Sequence, residues 1–166
     1  MKQRAISSMV SMIPSVVTGV TEGDFEKIKT IVRETFPGVQ QVDPSTLEDW
    51  LRTPDSLLLI DVRDPEEFSV SHLPGAVNLQ TEAQIRKLIR EKRPARTVLY
   101  CSVGFRSAKI AARLSKLQGI YNLEGSIFEW ANQGRPLFNQ NEKAEHVHPF
   151  GNRWAGLLKP GRALKV

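Results

Sequence analysis

The chain has 166 residues, of which 40% are apolar and 25% charged, with a formal net charge of +5 and one cysteine. That length and balance suit a folded unit with its own core plus extensions, and they exclude a low-complexity or strongly charged disordered chain. The single cysteine excludes an internal disulfide and a cysteine-based zinc centre and fits a reducing compartment, and the modest, dispersed positive charge does not mark a nucleic-acid surface.

Residues 1 to about 22 read as an irregular arm. Met1-Lys2-Gln3-Arg4 echoes the start of a signal peptide, but Ser7, Ser8, Ser11 and Pro14 interrupt the apolar run. No stretch is long enough to span a membrane. The reading is therefore cytoplasmic, with organellar targeting by the arm left open. Ile28, Ile31 and Val32 then recur at helical spacing, and Phe36-Pro37-Gly38 stops them, so 24–35 is expected to be a helix.

Val39 to Val42 is a short expected strand. Ser45 and Glu48 have capping-box spacing before a helix expected over 46–52. Leu57-Leu58-Leu59-Ile60-Asp61-Val62 is an apolar run ending on a carboxylate, the pattern of a strand buried on both faces. Asp64-Pro65-Glu66-Glu67-Phe68 opens a helical turn, and Ala76 to Leu79 is a brief strand. Thr81 and Gln84 cap a helix carrying Ile85, Leu88 and Ile89 that ends near Arg93-Pro94. The basic cluster Arg90, Lys92, Arg93 and Arg96 is read as complementing that helix's C-terminus.

Thr97 to Tyr100 is a second buried-strand pattern that runs into Cys101. Ser107 to Gln118 is expected to be a helix stopped by Gly119, Ile120 to Leu123 the last strand, and Ser126 with Glu129 the cap of a closing helix that ends by Gly134 and Pro136. The alternation of strands and helices predicts an α/β fold with a mostly parallel sheet of about five strands and helices on both faces. Residues from 137 lose periodicity and read as an extension, packed or frayed, in which Phe138, Phe150, Trp154, Leu157 and Leu158 are able to dock.

The chemistry points to Cys101-Ser102-Val103-Gly104-Phe105-Arg106-Ser107, between a buried strand and an amphipathic helix. In parallel α/β sheets ligands bind at the carboxyl ends of strands, and a helix N-terminus there offers unpaired N–H groups. A loop curled over that terminus forms an anion nest, which lowers the pKa of a cysteine placed in it. Gly104 permits the curl, Arg106 adds a fixed positive charge, and Ser102 and Ser107 serve either as loop and cap residues or as donors to sulfur. Asp61 is read as an acceptor that orders the loop, and Arg63 and Glu67 as pairing or capping groups near the same edge. His72 reads as a turn or surface histidine rather than a catalyst. His146 and His148 alone do not make a metal site, and none is expected.

This loop resembles the active-site loop of the rhodanese family of sulfurtransferases. Three further segments agree in order: Leu58 to Phe68, Ser71 to Leu79, and Tyr121 to Trp130. The resemblance covers roughly 40–136. It implies a three-layer rhodanese-like fold over 39–136, preceded by an arm and helix over 1–38 and followed by the extension over 137–166. Four residues separate Cys101 from Arg106. The resemblance implies that so short a loop holds one sulfur atom, whereas related phosphatases use one residue more.

The implied activity is transfer of a sulfane sulfur, for example from thiosulfate, onto Cys101 as a persulfide. It then passes to cyanide or a thiol acceptor, a protein thiol included, without metal or organic cofactor. Two rivals stay open. One is a non-catalytic module that binds a partner through the fold's surface or tails; the other is a phosphatase or arsenate reductase on the same scaffold. Oligomeric state is not legible in the sequence.

Overall fold

A computed structural model describes residues 22–53 and 56–165. The arm expected up to about residue 22 lies outside them but for its last position. Helix α1 (Phe25–Thr35) opens the fold and is followed by β1 (Gln40–Val42) and α2 (Pro44–Leu51). Next come β2 (Leu57–Asp61), α3 (Pro65–Val70), β3 (Val77–Asn78) and α4 (Glu82–Lys92). The core alternation closes with β4 (Arg96–Tyr100), α5 (Phe105–Arg113), β5 (Ile120–Leu123) and α6 (Ser126–Asn132).

The first five strands form one sheet in the order β1-β5-β4-β2-β3, and every pairing is parallel. Parallel neighbours need crossover connections, and helices supply them, so both faces of the sheet become covered. Alternate side chains along β4 and the residue that follows it show the two-sided burial. Val98 and Tyr100 join one core cluster, whereas Leu99 and Cys101 join the other. The first cluster takes Phe25 and Ile28 of α1, Leu47 of α2, and Ile127, Phe128 and Trp130 of α6. The second takes Ile85 of α4 and Ala111 of α5. The result is the expected three-layer α/β architecture, with β4 between β2 and β5 at its centre.

Local details differ from the sequence reading where a neighbour competes. Helix α2 begins at Pro44, and its cap is Asp43, whose carboxylate accepts from the N–H groups of Ser45 and Thr46. Ser45 is thereby displaced as cap, and Glu48 instead pairs with Arg135. Helix α5 starts at Phe105, because Gly104 turns the chain with φ +101°, and it ends at Arg113 rather than at Gln118. The early unwinding lets Gly119 descend onto Ala95 and pass its carbonyl to the N–H of Thr97 at 2.7 Å. Arg96 leaves the basic cluster altogether; it begins β4 and lies over the Trp50 ring at 4.6 Å.

The extension is ordered against the body. Strands β6 (Leu137–Asn139) and β7 (Glu142–Ala144) form an antiparallel hairpin, and Phe138 exchanges backbone hydrogen bonds of 2.8 and 2.9 Å with His72. Farther on, Val147, Trp154, Leu157 and Leu158 are buried in the first core cluster. Val147 also receives the N–H of Leu164 on its carbonyl, at 2.9 Å. No helix among the described residues is long and apolar enough to cross a membrane.

Candidate active site

β2, β4 and β5 deliver their carboxyl ends to one edge of the sheet, and there the segment Cys101 to Ser107 curls into the first turn of α5. Cys101 is 1% exposed. Its Sγ accepts from the Gly104 N–H at 3.2 Å and from the Ser107 hydroxyl at 3.4 Å. Phe105, Arg106 and Ser107 open the helix, so their N–H groups have no partner one turn back. The loop thus wraps the sulfur in donors. A Cβ at Gly104 would sit 3.3 Å from Asn122 Nδ2 and 3.4 Å from the Leu123 carbonyl, which together with its positive φ makes glycine the residue that fits.

Helix α6 holds the loop from behind. Ile127 and Phe128 donate their N–H groups to the carbonyls of Cys101 and Ser102 at 3.2 and 3.1 Å. Ser126, expected as a helix cap, does something else. Its hydroxyl donates to the Leu123 carbonyl at 3.0 Å and accepts from the Cys101 N–H at 3.1 Å. Gly125, with φ +68°, stands at the cap position instead. Loop and helix terminus therefore satisfy each other's backbone groups.

Arg106 does not hang free. Its guanidinium meets Glu67 in a two-pronged pair and also donates to the Ser102 hydroxyl, each contact at 3.0 Å. The Ser102 hydroxyl in turn donates to Glu67 at 3.2 Å. Ser102 is thus tied to Arg106 and Glu67, whereas Ser107 is the serine that reaches the sulfur. Glu67 sits at the third position of α3, where it also accepts from the Asp64 N–H at 3.0 Å in a capping box. Burial pushes the Glu67 carboxyl up, but Arg106, Arg63 and the Asp64 N–H outweigh that and hold it below its usual value.

Asp61 and Arg63 are both fully buried and pair with each other. Arg63 donates to Asp61 from its backbone N–H at 2.9 Å and from Nη2 at 2.7 Å, and to the Ser71 carbonyl at 2.7 Å. The Asp61 carboxylate accepts from the Arg63 backbone N–H and guanidinium and is also hydrogen-bonded to the Tyr100 hydroxyl. The pair braces the turn that leads from β2 into α3, the helix that carries Glu67, so its link to the cysteine is indirect. His72, just beyond the end of α3, stacks on Phe68 of that helix, with ring centroids 4.2 Å apart.

The electrostatics favour a thiolate. Burial pushes the Cys101 thiol up. The Arg106 charge, the Ser107 hydroxyl, and the N–H groups of Ser107 and Gly104 together outweigh it, and the pKa is lowered. Among the described residues no group of three or more His, Cys, Asp or Glu is arranged to hold a metal ion.

The family description "Rhodanese-like domain" matches residues 43–133. A probable adenylyltransferase/sulfurtransferase MoeZ of Mycobacterium tuberculosis is 37% identical over 100 residues, 57% of this chain and 25% of that protein. The chain thus corresponds to about a quarter of that relative's length. A sulfurtransferase of Allochromatium vinosum is 30% identical over 102 residues, 60% of this chain and 94% of that protein. Among solved structures, a rhodanese-related protein of Thermoplasma volcanium shares the fold, with a TM-score of 0.52 at 23% identity, over 61% of this chain and 99% of that one.

Proposed function

The chain belongs to the rhodanese-like domain family, and we propose that it is a sulfurtransferase that carries a sulfane sulfur on Cys101. The observation that carries this reading is the sulfur's surroundings. Cys101 Sγ lies at the mouth of α5 with the Gly104 N–H and the Ser107 hydroxyl aimed at it. Such a cradle stabilises the nucleophile before transfer. It also stabilises the persulfide anion afterwards, because the charge then lies one sulfur farther out among the same donors.

Two steps complete the reaction. The Cys101 thiolate attacks the outer sulfur of thiosulfate or a similar donor. The new S–S bond forms as the old one breaks, and sulfite leaves with the electron pair. An acceptor, cyanide or a thiolate, then attacks the outer sulfur of the persulfide and releases the Cys101 thiolate. Gly104, Ser107 and Arg106 hold the negative charge throughout. Ser102 and Glu67 fix Arg106, and Val103 and Phe105 fill the loop between them. Enclosure of the sulfur supports a one-atom cargo over a phosphate, since a tetrahedral group needs a wider ring of donors.

The names of the two relatives support the same reading. As the only thiol in the chain, Cys101 must pass its sulfur to another molecule. The test is intact mass after incubation with thiosulfate: one added sulfur atom is expected, lost on addition of cyanide as thiocyanate forms, and absent in Cys101→Ser. A protein that neither gains sulfur nor makes thiocyanate sinks the proposal. A cellular role that survives Cys101→Ser points to a non-catalytic module instead.

A further inference from the structure

Beyond the matched domain, the extension returns to the cysteine loop at Phe150. The Phe150 ring lies against the Arg106 guanidinium, with Cζ 4.3 Å from the ring centroid. We propose that Phe150 is a positioning residue that holds the Arg106 charge beside Cys101, making the extension a working part of the site. This deepens the sulfur-transfer reading and rests on it for the activity measurement alone.

Three observations support the assignment. The first is the division of the Arg106 surface. Its Nη atoms are taken by Glu67 and Ser102, while a π-face is left to Phe150. Stacked on an aromatic ring, a guanidinium loses water from one side and loses room to swing, without losing its charge.

The second is the backbone of Phe150, whose φ is +64°. A bulky side chain rarely adopts that conformation, and it persists where the surroundings over-determine it. The third is how the residue is held. The Phe150 N–H donates to His148 Nδ1 at 3.0 Å, and buried Val147 and Trp154 anchor the chain on either side. The extension thus delivers one ring to one arginine from two fixed points. The charged and titratable groups around this contact are Glu67 on α3, Arg63 on the preceding turn, Cys101 itself, and His148 beside Phe150.

The first measurement needs no sulfur donor. The sole thiol can be titrated by its ultraviolet thiolate absorbance in the wild type and in Phe150→Leu, Phe150→Tyr and Phe150→Ala. Leucine keeps the apolar bulk and removes the ring face, whereas tyrosine keeps both. Freed from the ring, Arg106 becomes more hydrated and its effect on the thiolate weaker. The Leu variant is expected to titrate about half a pH unit higher, and to form persulfide roughly threefold more slowly below that midpoint. The Tyr variant is expected to titrate like the wild type.

If Leu and Tyr both match the wild type, or both shift equally, the proposal is overturned. Should the Ala variant fail to fold, the Leu and Tyr pair still decides. A wild type that forms no persulfide, alongside a shift confined to Leu and Ala, refutes sulfur transfer and leaves the positioning role standing. A wild type that forms persulfide while every variant titrates normally does the reverse.

Discussion

Arg106 and Glu67 meet face to face across the site, Nη1 to Oε2 and Nη2 to Oε1, both at 3.0 Å. Arg106 belongs to the helix that follows the cysteine loop, and Glu67 to the helix that follows β2. The pair therefore ties two neighbouring strand ends together through their helices.

Glu67→Gln is expected to lower stability and also to lower the Cys101 pKa. Glu67 is 3% exposed and Arg106 23%, so the loss belongs at the modest end for a buried pair, about 2–3 kcal/mol. The thiol moves down because the negative charge that offsets Arg106 is gone. Since the folded-state pKa of Glu67 is lowered, its contribution is complete above the unfolded value of about 4.3 and fades as pH falls through the lower folded value. Urea titrations across acid pH are expected to show that limb in the wild type and its loss in the variant.

Ser107→Ala removes a hydroxyl that lies 3.4 Å from Cys101 Sγ. The bond is long and sulfur is a weak acceptor, so its removal is expected to cost the thiolate about 1 kcal/mol, a rise of somewhat under one pH unit. Persulfide formation at neutral pH then slows several-fold, and the rate recovers as pH rises. A pH–rate profile displaced in the opposite direction would contradict the cradle.

Gly104→Ala forces a side chain into a φ of +101° and against Asn122 and Leu123. Strain of about 1–3 kcal/mol is expected. The effect on transfer is larger than on folding, because the displaced Gly104 N–H is one of the donors to the sulfur. Denaturation and single-turnover sulfur loading, measured together, separate the two effects.

Asp43→Ala deletes the cap of α2 and is expected to cost about 1 kcal/mol, whereas Asp43→Asn keeps most of it. The hydrogen bonds of Ser45 and Thr46 hold the Asp43 carboxyl down at about 2. Its contribution is thus present above the ordinary range near ~3.9 and is lost only as pH drops towards that low value. Thermal melting at neutral pH reads the first effect. Transfer activity is expected to stay unchanged, since Asp43 makes its hydrogen bonds to Ser45 and Thr46 and not to the cysteine loop.

Part of the site was legible residue by residue. Cys101, Gly104, Arg106 and Ser107 are expected together on one loop from strand, turn and helix order, and the structure places them there. Glu67 was read only as a pairing or capping group, although its place at the start of α3 was the available signal. Ser126 was mistaken for a helix cap because its spacing to Glu129 imitates one. A serine's local acceptors are visible in sequence, whereas a competing N–H from Cys101 is not.

By itself the sequence determined the α/β alternation, the two-sided burial of β2 and β4, and the loop that encloses Cys101. These follow from short-range rules: apolar periodicity, turn residues, and the N–H groups that any helix start leaves unpaired. The tertiary structure alone decided which charge answers Arg106, which hydroxyl holds the Cys101 N–H, and that Phe150 of the extension returns to the site. Those contacts join residues far apart in the chain, and packing selects them by shape and distance, to which local pattern carries no clue.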